Sequence, residues 1–287
     1  MLIPLEVAGV RCVRMADAMS LDHVDSINQN AGRLMEEFIE SGFYKRLKIL
    51  SHEKDLLNRN IYQHLKDHET KRHEIGNNLV AKFIPVKKFN YDYLGLNEYL
   101  YDRGLLQKLT KLSSSNFQKN PDLLELFKPY SQKPNYYIKP SFNKAGREFV
   151  RVEEPPEIEL DLKEASIRKR ANWLWLRAAE GEYEALKKQM ERCQQLFLIG
   201  KIKHKFGSVA RIQKPIVYNC RKITDEQAIN KLIEYGKPDI GRLMHYMMKG
   251  FISKSELESF RQLTDIKLNF VILDLEEEAR MMKSIYH

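Results

Sequence analysis

Seven Lys or Arg residues and no Asp or Glu stand in the stretch KIKHKFGSVARIQKPIVYNCRK, Lys201 to Lys222. Read as a strand, KIKHKF sets Lys201, Lys203 and Lys205 on one face and Ile202, His204 and Phe206 on the other. Gly207-Ser208 then reads as a two-residue hairpin turn, with VARIQ returning. Alternate lysines stand ~6.6 Å apart on a strand, so all three can engage one polyanionic surface, which Arg211, Lys214, Arg221 and Lys222 widen. Such contacts grip phosphate without reading base sequence. The same charge has two plainer uses. It can protect a sheet edge from aggregation, or it can meet the acidic segment EEPPEIELDLKE, Glu153 to Glu164, within one molecule.

Four further constellations carry weaker chemistry. In KPNYYIKPSFNKAGREFVR, Tyr136, Tyr137 and Phe142 interleave with Lys133, Lys139 and Lys144. Rings beside cations stack single-stranded bases, and equally pin a proline-rich connector to a core. His64 and His68 lie one helical turn apart, but Leu65 stands where a zincin motif needs Glu, so they supply at most half a metal-ligand set. Asp122, with Asp161-Leu162-Lys163 on an expected strand EIELDLK, fits the skeleton of a Mg²⁺-dependent nuclease, a pattern that also arises by chance in so charged a chain. Gly250-Phe251-Ile252 makes a short turn between two helices, as in a helix-turn-helix, yet Glu256 and Glu258 on the second helix would meet phosphate repulsion. No phosphate loop, dinucleotide fingerprint or nucleophile elbow is present in the sequence. Cys193 reads as packing, and Cys220, beside Arg221 and Lys222, reads as the thiol with the most reason for a lowered pKa. No catalytic residue, metal ligand or cofactor is therefore assigned.

Periodic elements must position these groups. Phe43, Leu47, Leu50, Lys54, Leu57, Ile61, His64 and His68 repeat at helical spacing, which predicts a helix running to a stop at Gly76-Asn77, with a helical hairpin to Ser20–Ser41 equally compatible. LVAKFIPVKKFNY leans to strand, with Pro85 suggesting an edge or a bend. A second long helix is expected from Leu162 to Leu198, with Trp175, Ala179, Tyr183, Leu186, Met190, Cys193 and Phe197 on its apolar face and Gly200 ending it. Thr224 with Gln227 and Ser253 with Glu256 mark capped helices, Pro238 suits an early helical position, and a last helix is expected from Thr264 to Ile285. Between Ser113 and Pro156 the prolines mark connection with short strands at EFVRVEE and EIELDLK.

The 287 residues carry a formal net charge of +9, which favours polyanionic partners. Three cysteines, Cys12, Cys193 and Cys220, are too few for a disulfide framework. The N-terminal stretch is interrupted by Glu6 and Arg11, unlike a signal peptide, and no apolar run is long enough to span a membrane. A cytoplasmic protein is the expectation. The expected fold is mainly α: long helices and a C-terminal multi-helix bundle around a small mixed α/β middle section. Its regions are 1–78, 79–161 and 162–287, the last containing the basic hairpin 201–222. The expected function is non-enzymatic nucleic-acid association, DNA or RNA undecided, through Lys201, Lys203, Lys205, Arg211, Lys214, Arg221 and Lys222. The alternatives are an adaptor or inhibitor that docks apolar helix faces and charge on an acidic protein surface, and, behind it, the nuclease. The long helices also leave homo-oligomer formation open.

Overall fold

The computed structural model describes residues 30–153 and 157–286. Along the chain, α1 (Ala31–Glu40) is capped by the Asn30 side chain, which accepts from Gly32 N, and α2 (Phe43–Leu65) follows directly. The helix does not reach Gly76. β1 (Arg72–Gly76) and β2 (Leu79–Tyr91) form a hairpin whose two-residue loop is Asn77-Asn78, at φ 54° and 59°. Paired left-handed residues are what a twisted hairpin demands, so the signal expected to stop a helix turns a strand. Residues of Ser20–Ser41 before Asn30 lie outside the described residues.

α3 (Tyr93–Asp102) and α4 (Leu106–Leu109) are separated by Gly104 at φ 64°. β3 (Thr110–Lys111), α5 (Ser114–Lys119), α6 (Pro121–Phe127), β4 (Tyr136–Phe142) and α7 (Lys144–Phe149) occupy the proline-rich stretch. Its strand lies at YYIKPSF. Of EFVRVEE, Glu148 to Glu153 are instead the end of α7, a turn and coil, the last residue lying outside the described residues, and Glu157 to Asp161 form no strand. α8 (Leu162–Glu191) breaks before α9 (Gln194–Ile199), which Gly200 ends at φ 76° as its spacing implied. β5 (Lys201–His204) and β6 (Gly207–Gln213) come next. Then follow α10 (Glu226–Tyr235), β7 (Lys237–Pro238), α11 (Ile240–Met248), α12 (Lys254–Ser259), β8 (Arg261–Asp274) and α13 (Leu275–Tyr286).

The mainly α expectation is overturned. Among the described residues helix accounts for 57% and strand for 22%, with three small sheets ordered β1-β2-β8, β3-β7 and β4-β6-β5, so the fold is mixed α/β. The decisive element is β8, where a helix was expected. It pairs antiparallel with β2 from Leu79↔Asp274 to Tyr91↔Arg261, with Thr264 extruded at a bulge opposite Lys88 and its hydroxyl donating to Lys88 O at 3.1 Å. That partner is remote in sequence, and local periodicity does not reveal it. Pro85 sits opposite Leu268, beyond the reach of β1, whose pairing stops at Lys82. β2 is thus an edge there on one side, as a proline requires.

The capping expectations divide. Ser253 with Glu256 forms the expected capping box of α12. α10 is capped by Asp225, whose carboxylate accepts from Ala228 N at 2.8 Å, rather than by Thr224. Pro238 lies in β7, and Asp239 caps α11.

The chain separates into two compact units. Among the described residues the first comprises 30–45, 138–151 and 181–211, and the second the remainder. Within the described part of the first unit, Met35 and Ile39 of α1, Met190 of α8 and Leu196 of α9 are buried with Ile138, Ile202 and Val209 from β4, β5 and β6. In the second, Leu96, Leu100, Leu109, Phe127, Leu232 and Leu243 form the largest cluster. A separate cluster joins Ile61 and Leu65 of α2 to Ala165 of α8 and to Leu79 and Phe83 of β2. Between α2 and α8 the seam turns polar. Lys169 is buried there, and Asn172 donates to Leu50 O and to Glu53, both at 2.9 Å.

Candidate nucleic-acid interface

The basic hairpin forms, with its turn moved. His204 pairs with Gly207 and Lys201 with Ala210, so Lys205-Phe206 make the two-residue loop and Gly207-Ser208 already belong to β6. The shift has a packing cause. Phe206 is buried in the core of the first unit and tilts against Phe149 at 4.8 Å. Gly207 meanwhile passes so close to the backbone of Ser141 and Phe142 that any Cβ would collide with it.

β6 is the central strand, and its bonds fix the register of β4. Asn143 N donates to Phe206 O at 3.0 Å and Lys214 N to Asn135 O at 2.7 Å, while the hydroxyls of Ser141 and Ser208 meet at 2.8 Å. β4 therefore runs antiparallel to β6 with Ser141 opposite Ser208 and Lys139 opposite Ala210. On the other side of β6, Ser208 faces Lys203 and Ala210 faces Lys201. Opposed residues share a face, so Lys139, Lys201 and Lys203 stand together around Ala210, Ser141 and Ser208. All three lysines are exposed. The opposite face carries Ile138, Val209 and Ile202 into the core.

The other residues of the expected site go elsewhere. Lys205, in the turn, donates from Nζ to Glu40 at 2.8 Å and from its backbone to Glu36, both on α1. The bond to Glu40 raises its pKa. Arg211 alternates onto the core side of β6, with its guanidinium 4.4 Å from the centre of the Phe197 ring. Lys214 is exposed beyond the end of β6. Arg221 and Lys222 are exposed on a 3₁₀ turn, Cys220–Lys222, of the second unit. Lys139 was visible in the sequence only as part of the tyrosine-rich patch, because nothing local says which strand neighbours which. Of that patch, Phe142 packs on Tyr44 at 4.9 Å, whereas Tyr137 is exposed.

His204 lies on the core face against Gly32 of α1, with neither ring nitrogen hydrogen-bonded. Burial lowers its pKa, against a smaller opposing pull from Glu36.

The weaker constellations are dispersed. His64 donates from Nε2 to Leu160 O at 2.7 Å, and Asn60 donates to Ile158 O at 2.9 Å. Residues 158–160 of the acidic segment are thus laid along α2, and Glu36 and Glu40 are the acids that bond Lys205 at the hairpin turn. His68 packs its ring edge to face with His73 at 5.3 Å. Asp161 caps α8 by accepting from Glu164 N, and Asp122 sits in the first turn of α6. Among the described residues no three His, Cys, Asp or Glu side chains converge to hold a metal ion. Glu256 is committed to its capping box and to Arg103. Cys220 is buried, and burial pushes its thiol pKa up, contrary to the expectation from its basic neighbours. Cys12 lies outside the described residues. No helix among the described residues is long and apolar enough to cross a membrane. No protein-family model, curated protein or solved structure matches this chain.

Proposed function

We propose that this chain is a non-enzymatic, cytoplasmic nucleic-acid-associated protein that grips the phosphate backbone through the open face of the β4-β6-β5 sheet. One observation carries the reading: Lys139, Lys201 and Lys203 share that face, and none is ion-paired with any described residue. Lysines on β4 and β5 flank β6 at twice the strand spacing, ~10 Å, and Lys201 and Lys203 are ~6.6 Å apart. The small side chains of Ser141, Ser208 and Ala210 leave the ammonium groups as the highest points of the surface. Such a face offers charge with few donors in fixed directions, which suits backbone contact rather than base reading. Arg211, turned to the core side of β6, adds to the positive field of this unit more than to the grip.

The test is fluorescence anisotropy with labelled single- and double-stranded DNA and RNA at two salt concentrations, repeated on Lys139/Lys201/Lys203→Ala. Binding at low salt that weakens steeply with added salt and is lost in the variant supports the face. Absence of binding at low salt, or full retention in the variant, removes it.

A second reading, a protein-docking adaptor or inhibitor, rests on exposed apolar side chains. Phe197, Leu198 and Ile199 of α9 are 60%, 74% and 63% exposed, and Trp175 of α8 is 55% exposed. Salt-tolerant association with an acidic protein, or self-association, reduced by Leu198→Glu favours this reading.

A further inference from the structure

A concave surface of the second unit collects cations from four separate places in the chain. Lys108 comes from α4, Lys111 from β3, Arg221 from the 3₁₀ turn and Arg242 from α11, and with the amides of Gln132 and Asn219 they wall a cavity of about 440 Å³. No lining residue is acidic. The adjacent carboxylate is Asp239, which takes Lys111 Nζ at 2.7 Å and lies 3.7 Å from Arg242 Nε. Four cations against one carboxylate leave a surplus of three. Lys108 and Arg221 are ion-paired with none of the described residues.

The walls are built on backbone pairing. β3 pairs with β7, and Asp239 N donates to Leu109 O at 2.7 Å. Gln132 N donates to Val217 O and Asn219 N to Tyr130 O, both at 2.8 Å. Beneath them lie Leu109, Tyr218, Cys220 and Leu243 of the main core. Cations held in one concavity repel one another, and a low-dielectric wall strengthens the field they create. A bound anion relieves that repulsion. Two guanidinium groups offer the forked donors that match phosphate oxygens. The cavity has the size of a small-molecule site, in which a few polar groups set orientation. A surplus of three charges suits a group with two or three negative charges better than a monocarboxylate.

We propose that this cavity binds a small phosphate-bearing anion, of the class of pyrophosphate or a nucleoside diphosphate. The inference does not rest on the function assigned to the sheet face. It is tested by calorimetric titration of the full chain at low salt with pyrophosphate, with ADP, and with citrate as a non-phosphate polyanion. Saturable binding of pyrophosphate or ADP is expected, with citrate weaker and Arg221→Glu lowering affinity at least tenfold. ADP binding more tightly than pyrophosphate assigns part of the cavity to the nucleoside, and equal affinities assign the site to the phosphates alone. Lys201/Lys203→Glu leaves this binding in place, so the cavity and the sheet face succeed or fail separately. Should Arg221→Glu not fold, Lys108→Glu reads out the same cavity from an exposed position. No saturation by either phosphate probe, citrate binding as tightly, or full affinity in the folded variants overturns the proposal.

Discussion

The hydroxyl of Ser141 on β4 meets the hydroxyl of Ser208 on β6 at 2.8 Å. That single contact, in the register set by the flanking backbone bonds, places Lys139 opposite Ala210 and so on one face with Lys201 and Lys203. Slipping β4 by one residue would send Lys139 into the core side and Ile138 out to solvent. Ser208 is buried, so its hydroxyl has little water to fall back on. Ser141→Ala is expected to destabilise the protein by about 1 kcal/mol, the usual net worth of such a bond. Urea unfolding measures it, and an unchanged midpoint would mean that the backbone bonds alone hold the register.

The lysines on that face are expected to differ from Lys205 in what their loss does. Each phosphate contact removed lowers the slope of log affinity against log salt by about 0.7 to 0.9, so Lys139→Ala, Lys201→Ala and Lys203→Ala should each flatten the dependence by up to that amount. Lys205 already has Glu40 as its partner, and Lys205→Ala should leave the slope alone. Anisotropy titrations across a salt series compare the four. Equal effects would mean that the turn and the face act as one patch.

Lys169 is buried on α8, and burial, reinforced by Lys54, brings its pKa down to about 8. The unfolded chain holds this proton more tightly than the folded one, so the group lowers stability below pH 8 and ceases to do so as pH rises toward 10.5. Lys169→Met keeps the stem and removes the charge, and a gain of about 1–3 kcal/mol at pH 7 is expected. The gain should shrink as pH rises above 8, which denaturant midpoints at pH 7 and 9.5 will compare.

Glu278 of α13 receives Arg72 and Lys82, each at 2.8 Å, and the Arg72 bond foremost holds its carboxyl down at about 2. Its contribution is present above the ordinary carboxylate pKa near 4.5 and is lost as pH falls toward 2. Glu278→Gln should cost about 1–3 kcal/mol at pH 7 and flatten the acid limb of the stability profile between pH 4.5 and 2. Thermal melts of both proteins over that range read it, and parallel acid limbs would contradict it.

His204 acts in the same sense at milder pH. Its pKa is lowered by burial, so the unfolded chain takes up the proton first, and stability is complete above about pH 6.5 and declines as pH falls below it. His204→Gln should remove that decline. Comparing unfolding at pH 7.5 and pH 5.5 distinguishes the two proteins, and identical pH dependence would show that another group sets it.

Much of the local chemistry was legible in the residues. Gly200 ends α9, Ser253 with Glu256 caps α12, and the alternation in KIKHKF does put Lys201 and Lys203 on one face. These features depend on backbone angles and side chains within a few residues of each other. Gly76-Asn77 was legible as positive φ but not as the turn of a hairpin, because a helix stop and a strand turn ask the same of the backbone. The Lys205-Phe206 turn was misread because burial of Phe206 outweighs the turn preference of Gly207-Ser208.

The sequence by itself determined the helical stripe of α2, the segregation of basic from acidic segments and the basic hairpin. Tertiary structure alone decided that the residues from Arg261 to Asp274 are strand, since β8 exists only by pairing with β2 far away in the chain. It also decided which cations keep company. Lys139 joins Lys201 and Lys203 across β6, Lys205 turns to Glu40, and Arg221 is gathered with Lys108, Lys111 and Arg242. Charge along a chain is a property of composition, whereas charge on a surface follows from strand register and packing, which non-local hydrogen bonds and apolar burial select.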